Sequence, residues 1–401
     1  MPFKIIMGIT NFTISKCGDK IKEYNMNKKL YLFNIILLLI SCRSFAEELI
    51  PFSFEGKYGY VNRALQVIIE PRFVMANHFT TDGFAIVSFG TLNPGIIDID
   101  GNVIKKLDYG FIRHIYGDLY HFDNSRTKDI IRIKDNKIIA RQTDYPGITS
   151  EEGYILAEFI NEENRYFFID FDGNRVLTNL IMKNPSYSFY DQRARISNKD
   201  WDPQIIDMEG NKVGNISFVS LGQRYSEGLI PAKASDGVTG YVNKSGRFAF
   251  IVPFISDNTI PVATNFCGGY AAIRTSESPP IWKVINAQGR IVSGNILVNG
   301  MQDFSDGLSL VSIYNYEKKE TKYGYVNTKG EYLVKPIFES ADSFENGYAR
   351  VVYNGQEGLL KTNGKIIWSS DIMKDSPIEK DLKWEDTRVI VTKFEEKKQV
   401  Q

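Results

Sequence analysis

The chain has 401 residues, and Lys plus Arg equals Asp plus Glu at 48 each, so its formal net charge is zero. This balance excludes a net field that would recruit nucleic acid or anionic lipid, and we expect no nucleic-acid partner. Aromatic residues make up 13% and glycines number 32, a mixture that favours short strands joined by tight turns. The three cysteines, Cys17, Cys42 and Cys267, are too few for a disulfide framework.

The N-terminal region has the pattern of an export signal. Lys28 and Lys29 precede an apolar run from Leu30 to Ile40. This run is too short to cross a membrane but is typical of the apolar core of a signal peptide. The sequence therefore predicts an over-extended start over residues 1–25 and a signal peptide over 26–46.

Two processing sites follow the apolar run, and they imply different mature proteins. The segment ending at Cys42 resembles a bacterial lipobox, which makes Cys42 a lipidation candidate and the only expected membrane link. The segment ending at Ala46 fits an ordinary signal peptidase site. Both alternatives stay open. We expect an exported protein that is periplasmic, attached as a lipoprotein to the outer membrane or cell surface, or secreted.

From residue 47 to about 370 one pattern repeats. The letters KYGYVN at Lys57–Asn62 return at Lys322–Asn327, and TGYVN stands at Thr239–Asn243. A turn residue follows each copy, and its recurrence gives a period of ~36 residues over about eight and a half units, the mark of a repeat protein. The turn residues from the second unit onward are Gly101, Asn136, Gly173, Gly210, Gly246, Gly289, Gly330 and Gly364.

Each unit predicts three short antiparallel strands. In the copy that begins at Lys322, an alternating strand leads to a turn at Asn327–Gly330, and a second strand ends at Pro336, which cannot donate to a ladder. A second glycine, Gly347, starts a third apolar strand over Ala349–Val352. Three short strands are too few for a stable unit, so stacked neighbours must supply the core.

The two ends of the array suggest how it is arranged. The last unit has only its first hairpin, whereas Leu49–Pro51 resembles the third strand at Leu229–Pro231. The first residues would then supply the missing strand and close a β-propeller-like ring. The alternative is an open, curved β-superhelix. Residues 371–401 form a C-terminal extension with one predicted strand at Thr387–Thr392 and a charged tail.

These units resemble the WG (or KWG) β-repeat family of bacteria. Its pattern runs aromatic-Gly-aromatic-Ile/Val-Asp/Asn-x-x-Gly, then Val-Ile-x-Pro, then Phe-x-x-Gly-x-Ala. Lys322–Val352 matches it almost throughout, and Lys57–Val87 and Thr239–Ile273 match well. The resemblance implies an all-β repeat scaffold of the kind found in many exported bacterial proteins. It implies no reaction and brings no catalytic residues.

Three acidic turns have the look of fragments of calcium loops. They begin at Asp98, Asp170 and Asp207, and each runs acid-x-acid-Gly. A full loop needs further ligands at alternate positions and a bidentate Glu at its twelfth position, which all three lack. They also fall on the repeated hairpin turn, where Asp and Gly serve the backbone. We therefore predict no metal ligands there.

The remaining candidates for chemistry do not form a known site. His78, His114 and His121 lack metal-ligand spacing and are expected in surface loops. Cys267 occupies the turn position of Glu345, and nothing in the sequence would lower its pKa. The sequence contains neither a nucleophile elbow nor a phosphate-binding loop.

The sequence thus predicts a non-enzymatic binding or scaffold protein of the cell envelope, or a secreted one, with an unknown protein or glycan ligand. We predict no catalytic residues, no cofactor and no metal. The alternative is a propeller-like hydrolase of envelope or extracellular glycans, which would need a pair of carboxylates on one face of the ring.

Overall fold

The chain folds as a β-propeller, in which small antiparallel sheets follow one another along the sequence. The structure, a computed structural model, describes residues 49–124, 126–141, 143–144, 153–159, 165–178, 180, 189–197, 202–255 and 262–382. These residues form nine sheets, numbered here in chain order. The predicted segments 1–25 and 26–46, with Cys42, lie outside the described residues.

The first five sheets cover residues 50–206. Sheet 1 contains β1 (Ile50–Phe54), β2 (Lys57–Val61) and β3 (Val67–Phe73). Sheet 2 contains β4 (Met75–Ala76), β5 (Phe84–Ser88), β6 (Pro94–Asp98) and β7 (Val103–Lys106). Sheet 3 contains β8 (Phe111–Tyr116), β9 (Leu119–Asp123), β10 (Lys128–Arg132) and β11 (Lys137–Ala140). Sheet 4 contains β12 (Thr143–Asp144), β13 (Tyr154–Phe159), β14 (Arg165–Asp170) and β15 (Arg175–Val176), and sheet 5 contains β16 (Ala194–Ser197) and β17 (Pro203–Ile206).

The last four sheets cover residues 218–381. Sheet 6 contains β18 (Phe218–Leu221), β19 (Leu229–Ala234), β20 (Thr239–Asn243) and β21 (Phe248–Ile251). Sheet 7 contains β22 (Tyr270–Glu277), β23 (Pro280–Asn286) and β24 (Ile296–Leu297). Sheet 8 contains β25 (Gly300–Ser305), β26 (Leu308–Asn315), β27 (Glu320–Asn327) and β28 (Tyr332–Phe338). Sheet 9 contains β29 (Ser340–Ala341), β30 (Tyr348–Tyr353), β31 (Gln356–Lys361), β32 (Lys365–Trp368) and β33 (Lys380–Asp381), with the helix α1 (Ser369–Ile372) between the last two.

Each sequence repeat is divided between two sheets. The repeat over Lys322–Val352 supplies β27 and β28 to sheet 8, but its third strand is β30 of sheet 9. The three strands predicted for this repeat are therefore present. The structural unit, which is the sheet, begins at a different strand from the sequence repeat. As a result, the covalent chain ties each sheet to the next within a single repeat.

The glycine between the two aromatic residues makes room for a bulge in the following strand. A Cβ on Gly324 would lie 2.5 Å from the carbonyl oxygen of Val334 and 2.6 Å from the nitrogen of Pro336. At Gly59 and Gly240 it would lie 2.4 and 2.3 Å from a carbonyl oxygen. The pairing register shifts at Gly59 and at Gly324, and close to Gly240 it shifts between Tyr241 and Val242. The glycine and the proline that follow each other in the motif thus serve one bulge.

The glycines of the outer hairpin turns pack against the preceding sheet. Gly330 has φ +77°, and a Cβ there would lie 2.6 Å from the Cβ of Ser293 in sheet 7. Gly289 has φ +73°, and its Cβ would lie 2.4 Å from the ring of Phe250 in sheet 6. Both the left-handed backbone and the close approach therefore require glycine. The predicted turn positions are confirmed, including Asn136 at φ 52°.

Sheets 1 and 9 bring the two ends of the described chain together. Ile50 and Phe52 of β1 pack in one buried cluster with Leu359 and Ile367 of sheet 9 and with Ile372 of α1. The ring alternative is confirmed by this contact, and the open superhelix is wrong. Burial of large apolar side chains from both ends stabilises the closure.

The first strand takes the place predicted for it. Because each repeat straddles two sheets, the third strand of the last repeat belongs in sheet 1, and β1 stands there. Its backbone pairs with β2, from Ile50 opposite Val61 to Phe54 opposite Lys57. Only its side chains reach sheet 9. Within the described residues the closure is thus a packed face, without strand pairing between sheets 1 and 9.

The C-terminal extension begins inside the propeller. β33 pairs with β32, with Lys365 opposite Asp381, and covers the outer edge of sheet 9. Leu382 is buried in the cluster between sheets 8 and 9. The predicted strand at Thr387–Thr392 lies outside the described residues. No helix in the described part of the chain is long and apolar enough to span a membrane.

Candidate functional site

Two hairpin turns of each regular sheet lie at the same end of its strands. In sheet 8 the inner turn at Asp306-Gly307 leads into β26, and the outer turn follows β27; Leu308 and Asn327 pair directly beside them. We call the surface made of these turns the turn face. Hairpins at the other end, such as Asn354-Gly355, form the opposite face.

The inner turns are tight hairpins with two left-handed residues. In sheet 8 these are Asp306 and Gly307, with φ 50° and 76°, and in sheet 9 they are Asn346 and Gly347, with φ 58° and 87°. This geometry matches the two-residue type I′ turn, which favours Asn or Asp followed by Gly. The pattern Phe-x-x-Gly of the repeat is therefore the signature of this turn.

Carboxylates of the inner turns bind the glycine of the next sheet. The Gly347 N–H donates to Oδ2 of Asp306 at 2.7 Å, and the Gly269 N–H donates to Oε2 of Glu227 at 2.9 Å. The Gly228 N–H donates to Oδ2 of Asp191 at 2.6 Å. Bonds to an ionised acceptor are stronger than neutral ones, so they fix neighbouring turns against each other. The acidic residue before the second glycine was visible in the sequence, but its partner in the next sheet was not.

The second aromatic residue of the motif is a tyrosine in three of the repeats, and its hydroxyl donates a hydrogen bond to the next sheet beneath the turns. The Tyr325 hydroxyl donates to the carbonyl of Asp342 at 2.6 Å, and Tyr60 and Tyr241 make equivalent bonds of 2.7 Å. Phe344 lies edge-on to the Tyr325 ring at 4.8 Å. Burial raises the pKa of Tyr325 far above its ordinary value, which keeps the hydroxyl a donor.

A polar network joins the inner ends of sheets 5 to 8. Arg224 lies 3.4 Å from a carboxylate oxygen of Asp303, and its guanidinium stands 5.3 Å above the ring of Tyr190. Asp303 also accepts from the backbone and side-chain N–H groups of Asn265 at 2.8 and 2.9 Å. Burial raises the pKa of Tyr190, although Arg224 opposes this. The network is satisfied by its own members and holds the inner strands in place.

A shallow, open groove crosses the turn face where sheets 8, 9 and 1 meet. Its volume is about 600 Å³, which is within the size range of small-molecule sites. Its lining combines one cation, one carboxylate, an amide, a hydroxyl, a phenol and a bare backbone segment. These residues are Arg63, Asp306, Asn346, Gly347, Tyr348 and Thr362. The sequence did not predict this site, because the ring closure brings Arg63 beside residues from the far end of the chain.

The three acidic turns satisfy their own backbone, as the turn interpretation predicts. Oδ1 of Asp170 accepts the N–H groups of Asp172 and Asn174 at 2.9 and 2.8 Å, and Oδ2 accepts the Asn174 side chain at 2.9 Å. Asp98 and Asp207 repeat this arrangement. Burial raises the pKa of Asp170, but these hydrogen bonds outweigh it and lower the pKa. Within the described residues no cluster of His, Cys, Asp and Glu could hold a metal.

The histidines are not in surface loops as a group, which corrects one expectation. His114 lies in β8 and His121 in β9, where His121 is buried. His121 pairs with Arg113, the neighbour of His114 on β8, so the two imidazoles point to opposite faces of sheet 3. They cannot share a ligand. His78 lies 3.4 Å from a carboxylate oxygen of Glu345.

Cys267 occupies the predicted turn position and is exposed. Its turn is closed by Tyr270, just as the turn of Glu345 is closed by Tyr348. Burial raises the pKa of the Cys267 thiol, and the charges of Glu227 and Asp303 raise it further. A raised pKa favours the protonated thiol, which is the less nucleophilic form.

The aromatic-Gly-aromatic motif with its bulge glycine and the inner turn together define the repeat. A family model identifies this repeat. The family described as "WG containing repeat" matches residues 58–90 and 323–356. The chain contains WG repeats. In this WG-repeat propeller the matched segments lie in sheets 1 and 2 and in sheets 8 and 9, on either side of the ring closure.

Solved structures with a similar fold span most of the WG-repeat propeller. The crystal structure of the eukaryotic initiation factor is 10% identical, covers 84% of this chain and 96% of its own, and has a TM-score of 0.50. BamB from Moraxella catarrhalis is 13% identical, with 67% and 89% covered and a TM-score of 0.41. Apo AztD from Citrobacter koseri is 14% identical, with 69% and 91% covered and a TM-score of 0.41. At this level of identity the likeness to the initiation factor concerns the fold alone.

Proposed function

We propose that the turn face is a non-enzymatic binding surface and that the groove between sheets 8, 9 and 1 is its ligand site. The groove carries the proposal because it gathers convergent polar groups and one aromatic ring at a single place. Such a lining suits a polar, extended ligand, either a glycan or a segment of a protein.

The rigidity of the turn face supports a binding role. Asn346 and Gly347 project from a hairpin turn that Asp306 holds through the Gly347 N–H at 2.7 Å. Below it, Tyr325 bonds the strand that leads into the same turn. A surface that is fixed before binding loses little conformational entropy when it binds, which raises affinity without further contacts.

A glycan hydrolase is the alternative, and the described groove supports it less. Glycoside hydrolysis uses two carboxyl groups about 5–9.5 Å apart. Among the described residues that line the groove, Asp306 is the one carboxylate, and one of its oxygens already accepts the Gly347 N–H. A bound sugar would thus meet one anchoring acid and no partner acid in the groove.

The proposed setting is the cell envelope or the exterior, following the export pattern of residues 26–46. Fractionation of the native host, followed by intact mass of the recovered chain, tests this. We expect a chain that starts at a lipidated Cys42 or at Glu47. A cytoplasmic chain that retains residues 26–46 would contradict the proposed setting.

Binding is tested by the shift in melting temperature with a panel of glycans, peptidoglycan fragments and extended peptides. A hit is then titrated against Asn346→Gly combined with Thr362→Ala. Gly keeps the left-handed turn, so this variant should lose at least about tenfold in affinity, or 1.4 kcal/mol, and keep its melting temperature.

Tyr316→Ala is the matched control, because Tyr316 is highly exposed on the opposite face. It should bind as the unchanged protein does. Equal affinity of the groove variant would disprove the groove as the site. Release of new reducing ends from any glycan in the panel would favour the hydrolase instead.

A further inference from the structure

The outer edge of sheet 9 is covered by an added strand. There β33 pairs with β32, and Ile366, which lies opposite Lys380, is fully buried. Leu382, directly after β33, packs into the same apolar cluster as Ile366. The C-terminal extension thus removes from solvent both the open backbone edge of β32 and one of its apolar side chains.

Sheet 2 has an equivalent outer edge, formed by β7, which pairs with β6 alone among the described strands. Val103 of β7 pairs with Ile97, just as Ile366 of β32 pairs with Leu360. Both Ile97 and Leu360 stand two residues after the glycine of the repeat motif. Val103 is nevertheless 49% exposed, whereas Ile366 is 0% exposed. The difference is the cover that β33 and the residue after it give to sheet 9.

The backbone of β7 offers hydrogen-bonding groups to an added strand. The residues on either side of β7, Asn102 and Leu107, are hydrogen-bonded to the backbone at the two ends of β6, at 3.0 and 2.9 Å. In an antiparallel pair, the residues next to such bonded residues turn their own N–H and carbonyl groups away from the partner strand. Val103 and Lys106 therefore present these groups to the open edge.

Two lysines give the edge of β7 a positive charge. Within the described residues, the Lys105 ammonium donates to the side-chain amide of Asn136 at 2.9 Å, and the Lys106 ammonium lies 4.6 Å above the ring of Phe89. Both contacts are with neutral groups. Lysines on an edge strand oppose pairing with a second β7, because such a pair would bring four ammonium groups together. The edge therefore calls for an occupant of a different charge.

Sheet 9 shows that lysines at an outer edge still accept an acidic strand. A carboxylate oxygen of Glu379, the residue directly before β33, lies 2.5 Å from the ammonium of Lys361, and the other lies 3.8 Å from that of Lys365. Opposite charges across a strand pair are favourable where like charges are unfavourable. The lysines of β7 thus select an acidic partner strand rather than exclude every strand.

Two other sheets expose an apolar residue at the pairing position of Val103, but each lacks one part of the site. Ile291 of sheet 7 makes an isolated bridge and is separated from β24 by an irregular segment, so the backbone forms no continuous edge. Ile138 of sheet 3 lies beside Lys137, whose ammonium already contacts a carboxylate oxygen of Asp172 at 4.0 Å. β7 combines the exposed apolar residue, the open backbone and the two lysines.

We propose that the outer edge of β7 binds an extended segment of a partner protein, which adds to sheet 2 as an antiparallel fifth strand. The segment carries an apolar residue that covers Val103 and an acidic residue that meets Lys105 and Lys106. In this mode of recognition, main-chain hydrogen bonds provide affinity and the side chains provide selectivity. The proposal is independent of the groove and of the envelope setting, because it uses neither the groove residues nor residues 26–46.

Residue-resolved hydrogen exchange of the full chain tests this edge, with a synthetic peptide as the probe. The peptide copies residues 376–382 (SPIEKDL), the segment that covers sheet 9. At about 1 mM peptide, the amides of Val103 and Lys106 should exchange at least about fivefold more slowly, which corresponds to a dissociation constant of about 0.25 mM. The amides of β21, an outer strand that has Ile251 exposed but no lysine, should be unchanged.

A charge exchange supplies the matched control. Lys105→Glu with Lys106→Glu should abolish the slowing by this peptide and restore it for a peptide that carries Glu379→Lys. If the double variant fails to fold, the two peptides are compared on the unchanged chain, where the Glu379→Lys peptide should leave exchange at Val103 and Lys106 as it was.

Three results overturn the proposal. The first is equal slowing by both peptides, which would mean that the edge does not select charge. The second is no slowing by either peptide. The third is protection of the Val103 and Lys106 amides without any peptide, which assigns the edge to a second copy if it rises with protein concentration and to a segment of the same chain if it does not. Loss of binding in the groove changes none of these readouts.

Discussion

The junction between sheets 8 and 9 and the junction between sheets 9 and 1 perform the same task with different chemistry. At the first, Tyr325 donates its hydroxyl across the junction, and Phe344 covers its ring. At the second, Leu359 stands in the position of Tyr325, directly after the motif glycine Gly358, and has no hydroxyl to donate. Its side chain is buried among apolar residues from both chain ends.

The contrast shows which contacts the repeat provides and which the ring must add. Within the array, neighbouring sheets are covalently joined, and the Tyr325 hydrogen bond adds to a buried apolar cluster that contains Phe338, Phe344 and Leu360. The closing junction joins distant parts of the chain and must offset a large loop-closure entropy. It does so with an apolar cluster that includes Ile372 of α1, and with the guanidinium of Arg350 at 4.7 Å above the Tyr58 ring.

The largest effect is expected at the regular junction. Phe344→Ala removes a fully packed aromatic and should lower the free energy of unfolding by about 3–5 kcal/mol. Tyr316→Ala, a truncation of similar size at an exposed site, should change it by less than about 0.5 kcal/mol. Denaturant unfolding measures both. Equal losses would mean that Phe344 is not part of the core.

Substitution at the closing junction should lower the free energy of unfolding nearly as much, and it should loosen both ends of the described chain. Leu359→Ala should cost about 2–5 kcal/mol, because Leu359 lies in the centre of the closure cluster. Hydrogen exchange should then show lost protection over 50–61 as well as 358–367. If protection is lost only near residue 359, the two chain ends do not support each other.

Substitutions at an inner and an outer turn glycine distinguish the cost of backbone strain from the cost of close approach to the neighbouring sheet. Gly307→Ala meets no atom within 4 Å and should cost only the ~1–2 kcal/mol of a left-handed residue. Gly330→Ala has the same strain and would also overlap Ser293, so its cost should be clearly larger. Thermal unfolding of both variants gives the comparison. If both variants lost the same free energy of unfolding, contact with the neighbouring sheet would not contribute to the requirement for glycine at Gly330.

The smallest effect is expected from the tyrosine hydroxyl. Tyr325→Phe keeps the ring and leaves the Asp342 carbonyl without its donor, at a cost of about 0.5–1.5 kcal/mol. Tyr316→Phe, whose hydroxyl is exposed, should be neutral. Chemical denaturation resolves this difference. A neutral Tyr325→Phe would assign the stability of the regular junction to apolar packing alone, as at Leu359.

The sequence predicted the features that depend on neighbours along the chain. The first strand, the turn at Gly330 and the apolar third strand each follow from a few adjacent residues, and the structure confirms them. The second strand was predicted to end at Pro336, and this was wrong, because β28 runs through the proline to Phe338 with a register shift. The resemblance of Leu49–Pro51 to a third strand also identified the role of β1. All of these are local signals that repeat, which is why a single chain was sufficient to find them.

Features that depend on the next sheet were not accessible in this way. The bond from Gly347 to Asp306 links residues about one repeat apart, and neither side chain type signals it alone. Arg63 and Thr362 meet in the groove only because the ring closes. The burial of His121 follows from its position in β9, where the repeat is most degenerate and its pattern is weakest.

The division of every repeat between two sheets bears on how such a ring changes length. A duplication or deletion of one whole repeat rejoins a half-sheet to an equivalent half-sheet, wherever the cut falls, so every strand still finds a partner. The closing junction then limits such changes. There, β1 must still meet the segment from β32 through α1 when the ring has one unit more or one unit fewer. Interior repeats are thus structurally interchangeable, while the two terminal segments must fit each other.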